Sequence, residues 1–93
     1  MRVENGVAYA DAGAGVRVIG VRALAGHTVW LRFSTGEERH FDATPLLGSG
    51  VFTRLQDESA FARVGLDYGV VTWPEADVDL SSEYLYRQSV PLL

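Results

Sequence analysis

The chain has 93 residues, no cysteine and a formal net charge of −4, from 8 basic and 12 acidic side chains. The lack of cysteine excludes disulfides, thiolate zinc sites and cysteine nucleophiles, and the scattered basic residues disfavour direct nucleic-acid binding. No apolar run resembles a signal peptide or approaches the roughly 18 residues of a membrane span, so we expect a cytoplasmic protein without membrane contact.

The first fifteen residues are predicted to precede a single α+β domain over residues 16–93. Asn5-Gly6 stands between apolar residues, which is a strong local signal for a β-hairpin over residues 2–11. The Ala-Gly repeat at residues 12–15 would then join this hairpin to the main body. We expect the hairpin to pack on the sheet edge, because Val7 and Tyr9 would otherwise lie in water; a loosely held arm is the alternative.

The next predicted element is a β-strand over residues 16–24, which are rich in β-branched side chains. Gly20 interrupts this strand, which indicates a bulge or the close approach of another backbone. Residues 25–27, Ala-Gly-His, form the turn that leads into the central hairpin.

The central hairpin is predicted to close through the three-residue loop Ser34-Thr35-Gly36. A two-residue loop would place Arg32 beside Arg39, and like charges directly opposite each other destabilise a sheet. The three-residue loop instead puts Gly36 where a left-handed residue is needed, and glycine adopts positive φ without a Cβ clash. The pairs that follow are Leu31–Arg39, Val29–Phe41, Arg32–Glu38 and Trp30–His40.

This register separates the hairpin into two faces. The face predicted to be core carries Val29, Leu31, Phe33 and Phe41. The opposite face, predicted to lie outside or under another segment, carries Trp30, Arg32, Glu38 and His40.

Two short helices and a second hairpin are predicted beyond the central hairpin. Pro45 suits the first position of a helical turn that ends at Leu47. Asp57 is a good N-cap for a helix over residues 58–63. The second hairpin joins residues 64–67 to residues 70–73 through Tyr68-Gly69, and Pro74 ends its last strand.

The C-terminal part is predicted to be an acidic loop followed by a closing helix. Glu75, Asp77 and Asp79 form the loop, which lacks the glycine and distal glutamate of a calcium loop. Ser81 caps a helix over residues 82–89, and Pro91 terminates it. The order of elements predicts an α+β fold: a small single antiparallel or mixed sheet, built from two hairpins and a leading strand, with short helices on one face.

Residues 16–87 resemble a small bacterial family, the domain-of-unknown-function family 2442. The shared pattern is an apolar strand, a glycine turn, an aspartate ahead of a proline and two leucines, a phenylalanine helix, a Trp-Pro and a closing Leu-Tyr. The positions that carry it are Leu31, Phe33, Gly36, Asp42, Pro45, Leu46, Leu47, Phe61, Trp73, Pro74, Leu85 and Tyr86. The resemblance implies a compact α+β domain without an established activity, and it suggests one member of a two-protein, toxin–antitoxin-like pair.

The first functional hypothesis is a non-catalytic protein-interaction module. Trp30 on the polar face of the hairpin, with Arg32 and His40 beside it, is typical of an interface anchor. The N-terminal hairpin could instead cover Trp30, and the sequence leaves both possibilities open. The acidic balance favours a small basic protein as the partner, and a homodimer is the other candidate.

The alternative hypothesis is a small-ligand or metal-dependent enzyme that uses His40, Asp42 and His27. Two imidazoles and a carboxylate suffice for a metal site if the fold brings them together. The structural reading is that Asp42 caps the turn before Pro45 and that the histidines are surface residues. No nucleophile elbow, phosphate loop or cofactor motif occurs, so we expect no cofactor, and the sequence disfavours an enzyme.

Overall fold

The computed structural model describes residues 15–92, which contain seven strands, two 3-10 helices and two α-helices. The strands are β1 Val18–Leu24, β2 Thr28–Phe33, β3 Glu38–Asp42, β4 Gly65–Asp67, β5 Val70–Trp73, β6 Val78–Leu80 and β7 Val90–Pro91. The 3-10 helices are Thr44–Leu46 and Gly50–Leu55, and the α-helices are α1 Glu58–Phe61 and α2 Ser82–Gln88. The N-terminal hairpin predicted over residues 2–11 lies outside the described residues.

The strands form two antiparallel sheets, with the orders β1-β2-β3-β7 and β4-β5-β6. The α+β class is therefore confirmed, but the prediction of a single sheet is corrected to two. The two sheets meet where β4 packs against β1, and these two strands contact each other without joining one ladder.

The central hairpin has the predicted register. Val29 pairs with Phe41, Trp30 with His40, Leu31 with Arg39, and Arg32 with Glu38. The loop contains residues 34–36, since the Phe33 N–H donates to the Glu37 carbonyl at 2.9 Å. Gly36 has a φ of 92°, the left-handed conformation that the loop requires.

The interruption of β1 is also confirmed. The pairing of β1 with β2 shifts between Val18 and Gly20, which is the signature of a β-bulge. The Trp30 ring of β2 crosses Gly20, and a Cβ there would lie 3.3 Å from Cζ3 of Trp30. The bulge is therefore confirmed, whereas the close neighbours of Gly20 are side-chain atoms and not the backbone that the sequence offered as the alternative.

Local signals place the two α-helices and the second turn correctly, whereas the 3-10 helix Gly50–Leu55 was not predicted. The Asp57 side chain accepts the Ala60 N–H, and the Ser81 side chain accepts the Tyr84 N–H, so both predicted N-caps form. Helix α1 is shorter than predicted and ends at Phe61. Tyr68 and Gly69 have φ values of 49° and 83°, as a two-residue turn with two left-handed positions requires.

Two short strands were not predicted. Residues 78–80 form β6, so Asp79 belongs to a strand whose neighbours Val78 and Leu80 are buried, and the acidic loop is shorter than expected. Val90 and Pro91 form β7 on the edge of β3, where Pro91 pairs with Arg39. Helix α2 therefore ends at Gln88, before Pro91, which itself lies in a strand.

One hydrophobic core lies between the two sheets and the helices. All four residues of the predicted core face of the hairpin are at most 4% exposed. The buried apolar residues are Val18, Val29, Leu31, Phe33, Phe41, Ala43, Leu47, Leu55, Phe61, Val71, Trp73, Ala76, Val78, Leu80 and Leu85. In residues 15–92, no helix is long and apolar enough to cross a membrane.

Candidate functional site

The outer face of the larger sheet carries one row of side chains that crosses all four strands. Arg22 of β1 pairs with Trp30 of β2, Trp30 with His40 of β3, and His40 with Val90 of β7. We call these four residues the Trp30 row. Residues opposite each other in a ladder point to the same face, so the register that buries Val29 places this row on the side away from the core.

The Trp30 side chain is only partly buried but is held by three neighbours. Its ring covers Gly20, and Cζ of Arg22 lies 5.4 Å from the ring centroid in a cation–π contact. Its Nε1 donates a hydrogen bond to Oε1 of Glu38 at 3.2 Å. These contacts hold the indole in one position on the outer face of the sheet.

Charged and apolar groups border the tryptophan. Arg32 and Glu38 lie 3.8 Å apart, with nearly half of each side chain exposed, so their ion pair contributes little to stability. Val90, at the end of the row, is 66% exposed. All three predicted partner-binding residues, Trp30, Arg32 and His40, thus lie on this outer face.

A groove of about 550 Å³ begins at His40, beside the Trp30 row. The sheet contributes Thr28, His40 and Asp42 to it, and the turn after β3 contributes Leu46. Helix α2 contributes Tyr84 and Gln88 from the other side. The volume is within the range of about 300–1,000 Å³ that is typical of ligand pockets.

Asp42 is the carboxylate of this groove, and it also caps the turn as predicted. Its Oδ1 accepts the Thr44 N–H at 3.0 Å. Hydrogen bonds from the Thr44 side chain and backbone lower the pKa of Asp42 below its ordinary value of 3.8. The side chain is exposed and ionised at neutral pH, and a carboxylate oxygen has lone pairs for more than one hydrogen bond.

The structure does not bring His27 to His40 and Asp42. The His27 Nε2 lies 2.9 Å from the Gln56 carbonyl oxygen, and its ring packs edge-on against Phe61 at 5.0 Å between centroids. It lines a separate depression next to α1. Among residues 15–92, no three histidine, aspartate or glutamate side chains cluster in a way that could hold a metal ion.

A second polar cluster fixes α2 to the central hairpin. The Tyr86 hydroxyl donates to Oε1 of Glu37 at 2.6 Å, and Arg39 lies 3.3 Å from the other carboxylate oxygen. The Arg39 guanidinium also stacks on the Tyr86 ring, 4.3 Å from the ring centroid, and donates to the Ser89 carbonyl at 3.0 Å. Glu37, Arg39 and Tyr86 each contact another member of the cluster, so the cluster anchors the helix, although Nε of Arg39 is buried without a hydrogen-bond partner.

Sequence reasoning did not identify Tyr84 and Gln88 as groove residues. They belong to a helix that begins forty residues after the end of β3, and nothing local relates them to His40. Their spacing of four residues, which places two side chains on one helix face, is the one signal that could have paired them with each other.

The amino-acid sequence of the domain matches the model of one protein family. The model described as "Protein of unknown function (DUF2442)" matches residues 18–91. The chain belongs to the DUF2442 family. This DUF2442 domain runs from the start of β1 to the end of β7, so the Trp30 row and the groove both lie within it. No curated protein and no solved structure matches the chain.

Proposed function

We propose that this DUF2442 protein is a non-catalytic protein-interaction module whose contact surface includes Trp30, Arg32 and His40. The observation that supports it is the Trp30 row. A tryptophan on a solvent-facing sheet surface, with a guanidinium and an exposed valine in the same row, has the composition of an interface centre.

The fixed position of the indole favours binding. Ordering a side chain at an interface costs free energy, and a side chain that is already ordered avoids that cost. Gly20 and Glu38 hold the ring in place, and the strands beneath it are paired in one register across the hairpin. The Trp30 row is thus a preorganised anchor on a sheet, where positions are more precise than on a loop.

The proposed partner is a small basic protein, with a second copy of this chain as the other candidate. The net charge of −4 would speed the encounter with a basic protein. In this proposal the chain is the acidic member of a two-protein, toxin–antitoxin-like pair, and it acts by covering its partner.

The test compares Trp30→Ala with Tyr68→Ala. Tyr68 is 91% exposed on the turn between β4 and β5, so it controls for the loss of an exposed aromatic ring outside the Trp30 row. Light scattering over a concentration series measures self-association, and affinity capture followed by reconstitution with the purified partner measures hetero-association. We expect Trp30→Ala to weaken the complex at least about tenfold and Tyr68→Ala to leave it unchanged. A strictly monomeric protein that captures nothing, or equal affinities for both variants, would contradict the proposal.

A second candidate is a small-ligand or metal-dependent enzyme centred on the groove. It is favoured by the observation that His40 and Asp42 line the same groove. A metal-dependent form using His27 would also require that residue to leave Phe61 and the Gln56 carbonyl. Elemental analysis of the purified protein and assays of His40→Ala test this candidate, which predicts bound metal or loss of a measurable activity.

A further inference from the structure

We propose that the groove between β3 and α2 accepts a cationic side chain, an arginine or a lysine, from the protein partner. This inference rests on the proposed function, because it names the chemistry by which the partner is recognised beside the Trp30 row. The arguments are the charge of the groove, the chemical nature of its walls, and its continuity with the row.

The charge of the groove is negative and uncompensated by its lining. Asp42 is the one formally charged residue among the described residues that line it at neutral pH, with His40 counted as neutral. The arginine of the row, Arg22, pairs with Trp30 and is not part of the lining. The Asp42 carboxylate is exposed and has no cationic side chain beside it in the lining, so it can attract a positively charged guest.

The walls of the groove suit the rest of such a side chain. Tyr84 presents its ring from α2, held edge-on against Phe41 with the centroids 6.0 Å apart. A guanidinium or ammonium group is attracted to an aromatic face, and the methylene stem of either side chain packs on apolar surface such as Leu46. The hydroxyl of Thr28 and the amide of Gln88 supply hydrogen-bond acceptors around the cation.

The groove is continuous with the Trp30 row. His40 belongs to both, since it pairs with Trp30 and Val90 in the sheet and lines the groove. Val90 also lines the groove and is 66% exposed. A single partner element can therefore cover Trp30 and place one basic side chain against Asp42.

The experiment uses amide NMR of the full chain with small-molecule probes. N-acetyl-L-arginine amide and N-acetyl-L-lysine amide are titrated, and N-acetyl-L-citrulline amide is the neutral control of arginine shape. We expect saturable shifts in the millimolar range at Thr44, Leu46 and Tyr84 with both cationic probes, and none with citrulline. Shifts that are scattered over the surface, or that are equal for citrulline, would overturn the inference.

Variants of the full chain distinguish the loss of the groove's negative charge from the loss of its fold. Asp42→Asn keeps an acceptor oxygen for the Thr44 N–H and removes the charge, so it is expected to stay folded and to weaken arginine binding at least about tenfold. Tyr84→Leu keeps apolar contact with Phe41 and is expected to weaken binding by several-fold. Asp79→Asn, on the other sheet, is the matched control and should bind as the wild type does. Undiminished binding to Asp42→Asn would contradict the inference.

Two further measurements distinguish failure of the groove inference from failure of the proposed function, and a protein side chain from a free cation as the occupant. Trp30→Ala leaves the groove intact, so it should bind N-acetyl-L-arginine amide normally even though it loses the proposed partner. Loss of the partner by Trp30→Ala but not by Asp42→Asn would overturn the groove inference alone. Putrescine tests a free cation as the natural occupant, and binding much tighter than that of the arginine probe would overturn the assignment to a protein side chain.

Discussion

The Ser82 hydroxyl accepts the backbone N–H of Val18 at 2.9 Å, across 64 residues of sequence. The same hydroxyl donates to the carbonyl of Gly69, in the turn between β4 and β5. One side chain at the start of α2 therefore links the first strand of the larger sheet to the second hairpin. This link lies where the two sheets meet without a shared ladder.

We expect Ser82→Ala to lower the free energy of unfolding by about 1–3 kcal/mol, because it leaves the partly buried Val18 N–H and Gly69 carbonyl without this partner. Urea denaturation measures the change. Ser59→Ala, an exposed serine in α1, is the control and should change stability by less than about 0.5 kcal/mol. Equal stabilities of the two variants would show that the link is dispensable.

We expect Trp73→Phe to destabilise the protein by about 2–4 kcal/mol. Trp73 is 1% exposed, and its Nε1 donates to the Phe61 carbonyl at 2.8 Å, so phenylalanine leaves both a void and an unpaired buried acceptor. The matched variant is Trp30→Phe, in which the lost hydrogen bond to Glu38 is exposed. It should cost no more than about 1.5 kcal/mol by the same urea measurement. A larger loss for Trp30→Phe than for Trp73→Phe would contradict this assignment of roles.

We expect Gly36→Ala to destabilise the protein by about 1–2 kcal/mol through backbone strain alone. Gly36 has a φ of 92°, and a Cβ there would meet nothing within 4 Å, so no steric clash contributes. Gly48→Ala is the control, since its Cβ would also lie in open space and its φ is not positive. It should be neutral or slightly stabilising. Thermal unfolding of the two variants measures the difference. Equal melting temperatures would contradict the expected backbone strain at position 36.

We expect the free energy of unfolding of Glu37→Gln to fall less steeply than that of the wild type as the pH is lowered. The Tyr86 hydroxyl, and then Thr35 and Arg39, lower the pKa of Glu37 below its ordinary value of 4.5 against an opposing effect of burial. A carboxyl whose pKa is lower in the folded state binds fewer protons there, so its contribution is present above pH 4.5 and is lost as the pH falls through the lowered value.

Urea denaturation over a pH series from neutral to acid measures this effect. Tyr86→Phe removes the main hydrogen-bond donor, so its loss of stability in acid should be reduced in the same direction but by less than that of Glu37→Gln, because Thr35 and Arg39 still lower the pKa of Glu37. The double variant should add nothing further, because the two changes remove one interaction. An unchanged acid limb in both single variants would contradict the role of this pair.

The central hairpin shows how far local chemistry predicts this fold. The like-charge conflict between Arg32 and Arg39, together with a glycine in the loop, was enough to choose the register and hence the two faces. The caps at Asp57 and Ser81 and the turn at Tyr68-Gly69 are also local, since each depends on residues within four positions.

Strands β6 and β7 show where local chemistry predicted the wrong structure or could not predict the strand. The alternation Val78-Asp79-Leu80 is a period-two pattern that could have indicated β6, but the surrounding acidic residues suggested a loop. Strand β7 has two residues, one of them proline, and it exists because β3 offers a free edge 50 positions earlier. No property of Val90 and Pro91 by themselves predicts that pairing.

The amino-acid sequence by itself determined the α+β class, the hairpin register and the face on which Trp30 lies. These depend on short-range sterics and on the period of apolar residues, which act within one hairpin or one turn. The tertiary structure decided the division into two sheets, the Ser82 link between them, and the meeting of His40 and Asp42 with Tyr84 in one groove. Such contacts join segments tens of residues apart, so they form only when packing of the shared core sets the distances between them.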